Sequence, residues 1–295
     1  MNKKYGIVVL LAAVWSIQFI AVNFMNKQIS PFSVGFFVRL ATLIALSAIM
    51  LASRQWETLF SLKGALPKLL WVGLLGFLLD ITSFIGFRYS DANTGTLLLK
   101  TDVVMASVIS MLVYKERFTK RDGGLIAVML AGVCLVLGIN PFNLHFSPFD
   151  TFFILSALFV TLNAFLIKHI HKEYNVNNNV IAYYNNLFTL ILFFTSMVLT
   201  GNLKDVGFVR EQQTVLLLIF LCGITQTLIY LLYYRSLSDL PVWIVKIILL
   251  LIPLFTLLFN IILFRQIPTL AHLVGTVLIL SSAVGLLYYQ QKKFQ

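Results

Sequence analysis

The stretch LLLKTDVVMASVISML, residues 97–112, is apolar or small throughout except at Lys100 and Asp102. An ammonium and a carboxylate in such a setting can do two things: hold the opposite charge of a ligand through a charge-assisted contact, or exchange a proton. Keeping one charge at the centre of a bilayer costs roughly 2.5–3.5 kcal/mol on insertion scales, so ions retained there mark substrate or ion pathways. Arg39, Asp80 and Lys246 interrupt other apolar runs, and Gln18, Asn163, Gln226 and Tyr230 add amides and a hydroxyl. Positions two apart on a regular helix point about 200° away from each other, so Lys100 and Asp102 should serve different neighbours. Asp80 suits either Lys100 or Arg39 as a partner, and such a pair is either a register lock or part of a site. Arg39, Lys100 and Lys246 set against Asp80 and Asp102 leave one positive charge for a ligand carboxylate.

The elements that must position these groups follow from composition. The chain has 295 residues, 59% hydrophobic and 11% charged, with a mean hydropathy of +0.92, more apolar surface than a soluble core hides. Apolar runs lie at approximately 5–25, 32–52, 69–88, 94–114, 122–140, 150–169, 180–200, 214–235, 241–264 and 270–289. A spanning helix needs about 20 residues, and barrel strands would alternate over about ten, so the runs predict helices. The basic start MNKKYG precedes a long apolar run with no small-residue cleavage site and is expected to remain as the first helix.

Of the 22 Lys and Arg residues, those at 3, 4, 54, 63, 68, 115, 117, 120, 121, 168, 172, 235, 292 and 293 fall on one side if the amino terminus is inside. Lys27, Arg88, Lys204, Arg210 and Arg265 fall on the other. The positive-inside rule then puts both termini in the cytoplasm, and the net charge of +11 reads as an orientation signal that also meets anionic lipid, with no nucleic-acid partner.

The last two runs of each half align from Ser90-Asp91 and from Ser238-Asp239. Five runs per half is an odd number, so the halves would be inverted in the membrane. The predicted fold is an all-α integral membrane protein of ten transmembrane helices in two inverted five-helix repeats, 1–140 and 141–295. Counting 1.5 Å per residue places Lys100 and Asp102 about 9 and 12 Å below the outer end of the fourth run, Asp80 about 12 Å and Arg39 about 10 Å deep, with Gln18 at similar depth. Gln226 falls near the midplane with Asn163 and Tyr230 in the same half. Lys246 lies about 8 Å from the cytoplasmic end of the ninth run, from where its stem can snorkel to the interface. Trp15, Phe84 and Trp243 can line a cavity or face lipid, with lipid the default in a chain of 14% aromatics, and Tyr183 to Asn186 are read as an interfacial belt.

Other chemistries find little support. No Gly-x-x-x-x-Gly-Lys-Ser/Thr run cradles phosphates, so ATP drive is not indicated. His169 and His171 are assigned to a cytoplasmic loop and His145 and His272 to the outer side, away from the charged layer, so a nucleophile–base pair is missing and no enzyme is expected. Cys134 and Cys222 lie inside apolar runs as small hydrophobes. Neither metal nor cofactor is expected.

The chain resembles the drug/metabolite transporter superfamily and, within it, the ten-helix proteins built of two EamA repeats. The resemblance rests on AAVWSIQFIAVNF with Trp15-Ser16, on GFFVRLATL with Arg39, on VYKERFT with Glu116, and on IPLFTLLF with Pro253. Ser16 stands where Gly is common, Val104 where Pro is frequent in the first repeat, and Arg265 where Glu is frequent in the second. The resemblance implies a secondary transporter of the inner membrane working by alternating access. Together with the charge inventory it points to a small polar or zwitterionic, amino-acid-like metabolite as substrate. Export of organic cations or drugs, and a channel or non-transporting scaffold, are the alternatives. Asp80 and Asp102 are the candidate proton carriers, and the protein is expected to be a monomer or weak homodimer.

Overall fold

The computed structural model describes residues 3–62, 64–90, 92–115, 119–140, 147–265 and 267–293. Lys63, Asp91, Glu116, Arg117 and His145 therefore lie outside the described residues. Thirteen α-helices make up the described chain: α1 (Lys3–Asn26), α2 (Pro31–Ala52), α3 (Leu66–Tyr89), α4 (Ala92–Leu99), α5 (Thr101–Tyr114), α6 (Lys120–Leu137), α7 (Asp150–Tyr174), α8 (Asn178–Leu199), α9 (Asp205–Glu211), α10 (Gln213–Asp239), α11 (Val242–Ile248), α12 (Ile252–Phe264) and α13 (Leu270–Lys293). Among the described residues, eight stretches are long and apolar enough to cross a membrane, with α4–α5 and α11–α12 each forming one broken span. Leu270–Leu286 within α13 is a shorter apolar helix, and α6 carries Lys120, Arg121 and Asp122 in its first turn.

Local chemistry explains where these helices begin. Thr119 and Asp122 form a reciprocal capping box at α6, with the Asp122 amide donating to the Thr119 hydroxyl at 3.2 Å and the Thr119 amide donating to the carboxylate at 2.8 Å. Ser30 caps α2 ahead of Pro31, whose missing N–H costs nothing in a first turn. Asp205, at the start of α9, accepts from the Ser30 amide at 3.0 Å and the Ser33 hydroxyl at 2.6 Å, tying α9 to the start of α2.

Packing repeats across the two halves. Helix α1 packs on α10 as α3 packs on α7; α2 on α10 as α3 on α8; α1 on α12 as α4 and α5 on α7. The pairs α2–α8 and α6–α13 map onto themselves. This is the pattern a two-fold exchange of α1–α6 with α7–α13 produces. The broken spans agree. Lys100 separates α4 from α5, a 3-10 turn at Leu249–Leu251 separates α11 from α12, and both spans end in a left-handed residue, Lys115 (φ 52°) and Arg265 (φ 51°). Lys100 to Lys115 and Leu250 to Arg265 are the same distance in sequence, so the breaks are equivalent at an offset of 150 residues. Laying Ser90 on Ser238 gives 148, which slips the register by two, because equal lead-in dipeptides do not reveal where a helix restarts.

Candidate functional site

One cavity of about 120 Å³ lies at the meeting of α1, α2, α3, α5, α7, α10 and α11. Gln18, Arg39, Asp80, Lys100, Asp102, Asn163, Gln226, Tyr230 and Lys246 all line it. On this measure a water occupies roughly 10–15 Å³, so the space holds about ten small groups, the size of an amino acid or similar metabolite. Trp15, Phe19, Phe84 and the aliphatic faces of Leu79, Val160 and Ile229 complete an apolar wall around convergent polar groups, the usual make-up of a small-molecule site.

Two ion pairs organise the polar side. Arg39, 3% exposed, pairs with Asp80 of α3 through one guanidinium nitrogen and donates to the Tyr230 hydroxyl of α10 through another. Its guanidinium also lies 5.2 Å from the centre of the Tyr230 ring, a cation–π arrangement. Lys246 pairs with Asp102 at 3.0 Å and stands 5.5 Å from the Tyr233 ring centre. Of the two partners available to Asp80 from sequence, the structure selects Arg39.

Lys246 does not snorkel. It is 1% exposed, because α11 is a seven-residue helix that stops at the break and packs against α5, presenting Lys246 to Asp102 rather than to an interface. Trp15 and Phe84 line the cavity and Trp243 is buried, so none of the three has the lipid-facing role expected of it. Asn185 and Asn186 are buried too. Asn185 donates to the Tyr234 hydroxyl, and Asn186 donates to the Arg39 carbonyl at 2.9 Å, so this part of the Tyr183 to Asn186 stretch is core. Tyr183 and Tyr184 are half-buried, the first packed against the Trp56 ring and the second donating to the Leu59 carbonyl at 2.9 Å. His169 and His171 belong to the last turns of α7, which runs to Tyr174, and not to a loop.

The remaining polar lining is largely engaged. Gln18 donates to Gln226 at 3.2 Å and accepts from Thr225. Asn163 donates to the Val72 carbonyl at 2.8 Å, and Ser156 to the Leu79 carbonyl at 2.7 Å. Lys100 is the exception. It is 6% exposed, lines the cavity, and among the described residues its ammonium makes neither an ion pair nor a hydrogen bond. Asp102, two residues on, is turned to Lys246. The surplus cation in the charge inventory is therefore Lys100.

Sequence reasoning passed over Ser83, Ser156, Asn185, Tyr233 and Tyr234, which also line the cavity. For two of them a signal was present: Gln226, Tyr230 and Tyr234 recur every fourth residue along α10, a polar stripe on an otherwise apolar helix, with Tyr233 on the same side.

A helical membrane protein with paired packing, two broken spans and a polar cavity where they meet has the architecture of a carrier. The model of the EamA-like transporter family matches the chain twice, over residues 3–138 and 148–288, and the chain belongs to that family. Together with the eight membrane-crossing stretches among the described residues, this makes it a multi-pass membrane protein of a transporter family. A protein of Archaeoglobus fulgidus described as an uncharacterized transporter is 27% identical over 186 residues, which is 62% of this chain and 54% of the relative. The chain thus spans about half the length of that relative. A solved crystal structure shares the fold with a TM-score of 0.76 at 16% identity, over 94% of each chain.

Proposed function

We propose that the chain is a secondary carrier that moves a small zwitterionic, amino-acid-like metabolite by alternating access. The reading includes ten spans, with α6 and α13 crossing the membrane as a packed pair. It also includes two inverted five-helix repeats, at 1–140 and 141–295, and both termini in the cytoplasm. The equivalent breaks at Lys100 and Leu250 support the repeat, since discontinuous helices in corresponding positions mark the binding site of such carriers. Substrate contact is assigned to Gln18, Arg39, Asp80, Lys100, Asp102, Asn163, Gln226, Tyr230 and Lys246.

The observation that carries the substrate class is the unpaired ammonium of Lys100 in a cavity whose other charges are paired. A ligand carboxylate answers it, and the aromatic wall with the carboxylates of Asp80 and Asp102 accepts a ligand ammonium. An organic cation would meet a formal surplus of positive charge, which disfavours the drug-export alternative. Of the two acids, Asp102 is assigned to proton exchange. The guanidinium of Arg39 does not give up a proton to Asp80, whereas the ammonium of Lys246 can release one when its pair with Asp102 opens.

The test is Lys100→Ala, assayed against matched ligands with and without a carboxylate. The lost charge-assisted bond, about 1.5–3 kcal/mol, corresponds to roughly ten- to hundredfold weaker binding of the acids. Amine analogues lacking the acid should bind as before. Equal loss for both sets would remove Lys100 from substrate reading.

A further inference from the structure

Tyr233 lines the central cavity from α10 and is 5% exposed. Its ring meets Trp15 of α1 edge-on, with centroids 5.5 Å apart, and lies 6.2 Å from the ring of Tyr234. The Lys246 ammonium, paired with Asp102, stands 5.5 Å from the Tyr233 ring centre, and the two side chains act on each other. Yet among the described residues the Tyr233 hydroxyl is buried without a hydrogen bond of ordinary geometry, although buried polar atoms are as a rule satisfied.

The other two tyrosines of the stripe are engaged. The Tyr230 hydroxyl accepts from Arg39 and the Tyr234 hydroxyl from Asn185, and Arg39 acts electrostatically on Asp80, Tyr230 and Tyr234 as one set. The charged groups that act on Tyr233 are instead Lys246 of α11 and Asp102 of α5, with Lys100 in electrostatic reach of both. The neighbouring walls add Trp15 and Gln18 from α1, Asn163 from α7 and Asn185 from α8, none of which titrates. Chemistry explains why the hydroxyl is idle. An ammonium has three donors and no acceptor, so it offers the phenolic hydrogen nothing to bond, and the Asp102 carboxylate is turned to Lys246. A neutral amine carries a lone pair.

We infer that Tyr233 is a positioning residue for proton exchange, donating its hydroxyl hydrogen to the Lys246 amine once that group has passed a proton to Asp102. The inference rests on the assignment of proton exchange to Asp102. In the step, an N–H bond of the ammonium breaks, an O–H bond forms on Asp102, and both partners become neutral. The Tyr233 O–H stays intact and turns to the new lone pair. Its hydroxyl is thus unsatisfied while Lys246 is charged and satisfied when Lys246 is neutral, which holds the amine neutral until Asp102 gives the proton up. Trp15 keeps the ring in place for this.

The test compares wild type, Tyr233→Phe and Asp102→Asn in proteoliposomes, following a labelled mixture of the common L-amino acids. Gradient-driven uptake is recorded against pH, exchange is recorded at equal pH on both sides, and melting is measured on the purified proteins. One hydrogen bond to the amine corresponds to roughly a three- to tenfold shift in the proton equilibrium. Tyr233→Phe should therefore move the pH profile of gradient-driven uptake about 0.5–1 unit to the alkaline side. Exchange should be unchanged, as should melting, because the lost hydroxyl bonded nothing. A wild-type profile in Tyr233→Phe, with acceleration still abolished in Asp102→Asn, overturns the role of Tyr233 and leaves that of Asp102 standing. Equal loss of uptake and exchange in Tyr233→Phe, or a lowered melting point, makes the residue a packing element and overturns the proposal. Wild-type protein that takes up none of the mixture, or is indifferent to the gradient, overturns the Asp102 assignment and this inference with it.

Discussion

Arg39 joins four helices through one side chain and one carbonyl: its own α2, α3 through Asp80, α10 through Tyr230, and α8 through Asn186. Removing one member of a buried pair strands the other charge, so Asp80→Asn and Arg39→Met should each lose about 3–5 kcal/mol in unfolding, with much of it restored in the double variant. Lys100→Ala strands no partner and should leave melting unchanged; a loss equal to that of Arg39→Met would mean a pairing in another state. This contrast separates a charge that holds the wall from one left for a ligand. The cavity charges were legible in the sequence because ions in apolar runs stand out. The partner of Lys246 was not, because its depth was counted along an unbroken helix. Asn185 escaped for a related reason: an amide near a helix end reads as interfacial until a neighbouring helix covers it.

At the scale of elements, the helical runs followed from hydropathy, while their ends and breaks depended on contacts that hydropathy does not carry. Nothing in TLLLKTDVV announces that the helix restarts after Lys100, and its match to the Leu249–Leu251 turn emerges only from the shared distance to a left-handed cap. Close approach is similarly hidden. A Cβ added at Gly132 of α6 would stand 2.8 Å from the Gly275 carbonyl oxygen of α13, whereas one at Gly124 meets open space. Gly132→Val should therefore force the α6–α13 pair apart and cost about 1–3 kcal/mol. Gly124→Ala should be neutral or gain about 0.5–1 kcal/mol from helix propensity. Melting of the two variants side by side checks this, and an unperturbed Gly132→Val would mean the pair is looser than drawn.

For the whole molecule, orientation decides what the cavity faces, and the Lys and Arg bias predicts the amino terminus inside. Cys222 is buried and Cys134 half-buried, so both are replaced before single cysteines are introduced. Cysteine at Lys204 or Glu211 should label from outside in intact cells, and cysteine at Ser61 or Lys172 only after permeabilisation; the reverse pattern would invert the carrier. Transport itself then turns on how the two ion pairs behave as the halves rock. An Arg–Asp pair can only hold or open, but a Lys–Asp pair that opens in a low-dielectric space can neutralise both members by passing one proton. Proton movement coupled through Asp102 predicts that an imposed pH gradient accelerates net flux in proteoliposomes. Asp102→Asn should abolish that acceleration while substrate exchange continues, and Asp80→Asn should retain it to the extent that it folds. Wild-type flux indifferent to the gradient would make the protein a facilitator, with the Lys246–Asp102 pair a fixed brace between α11 and α5.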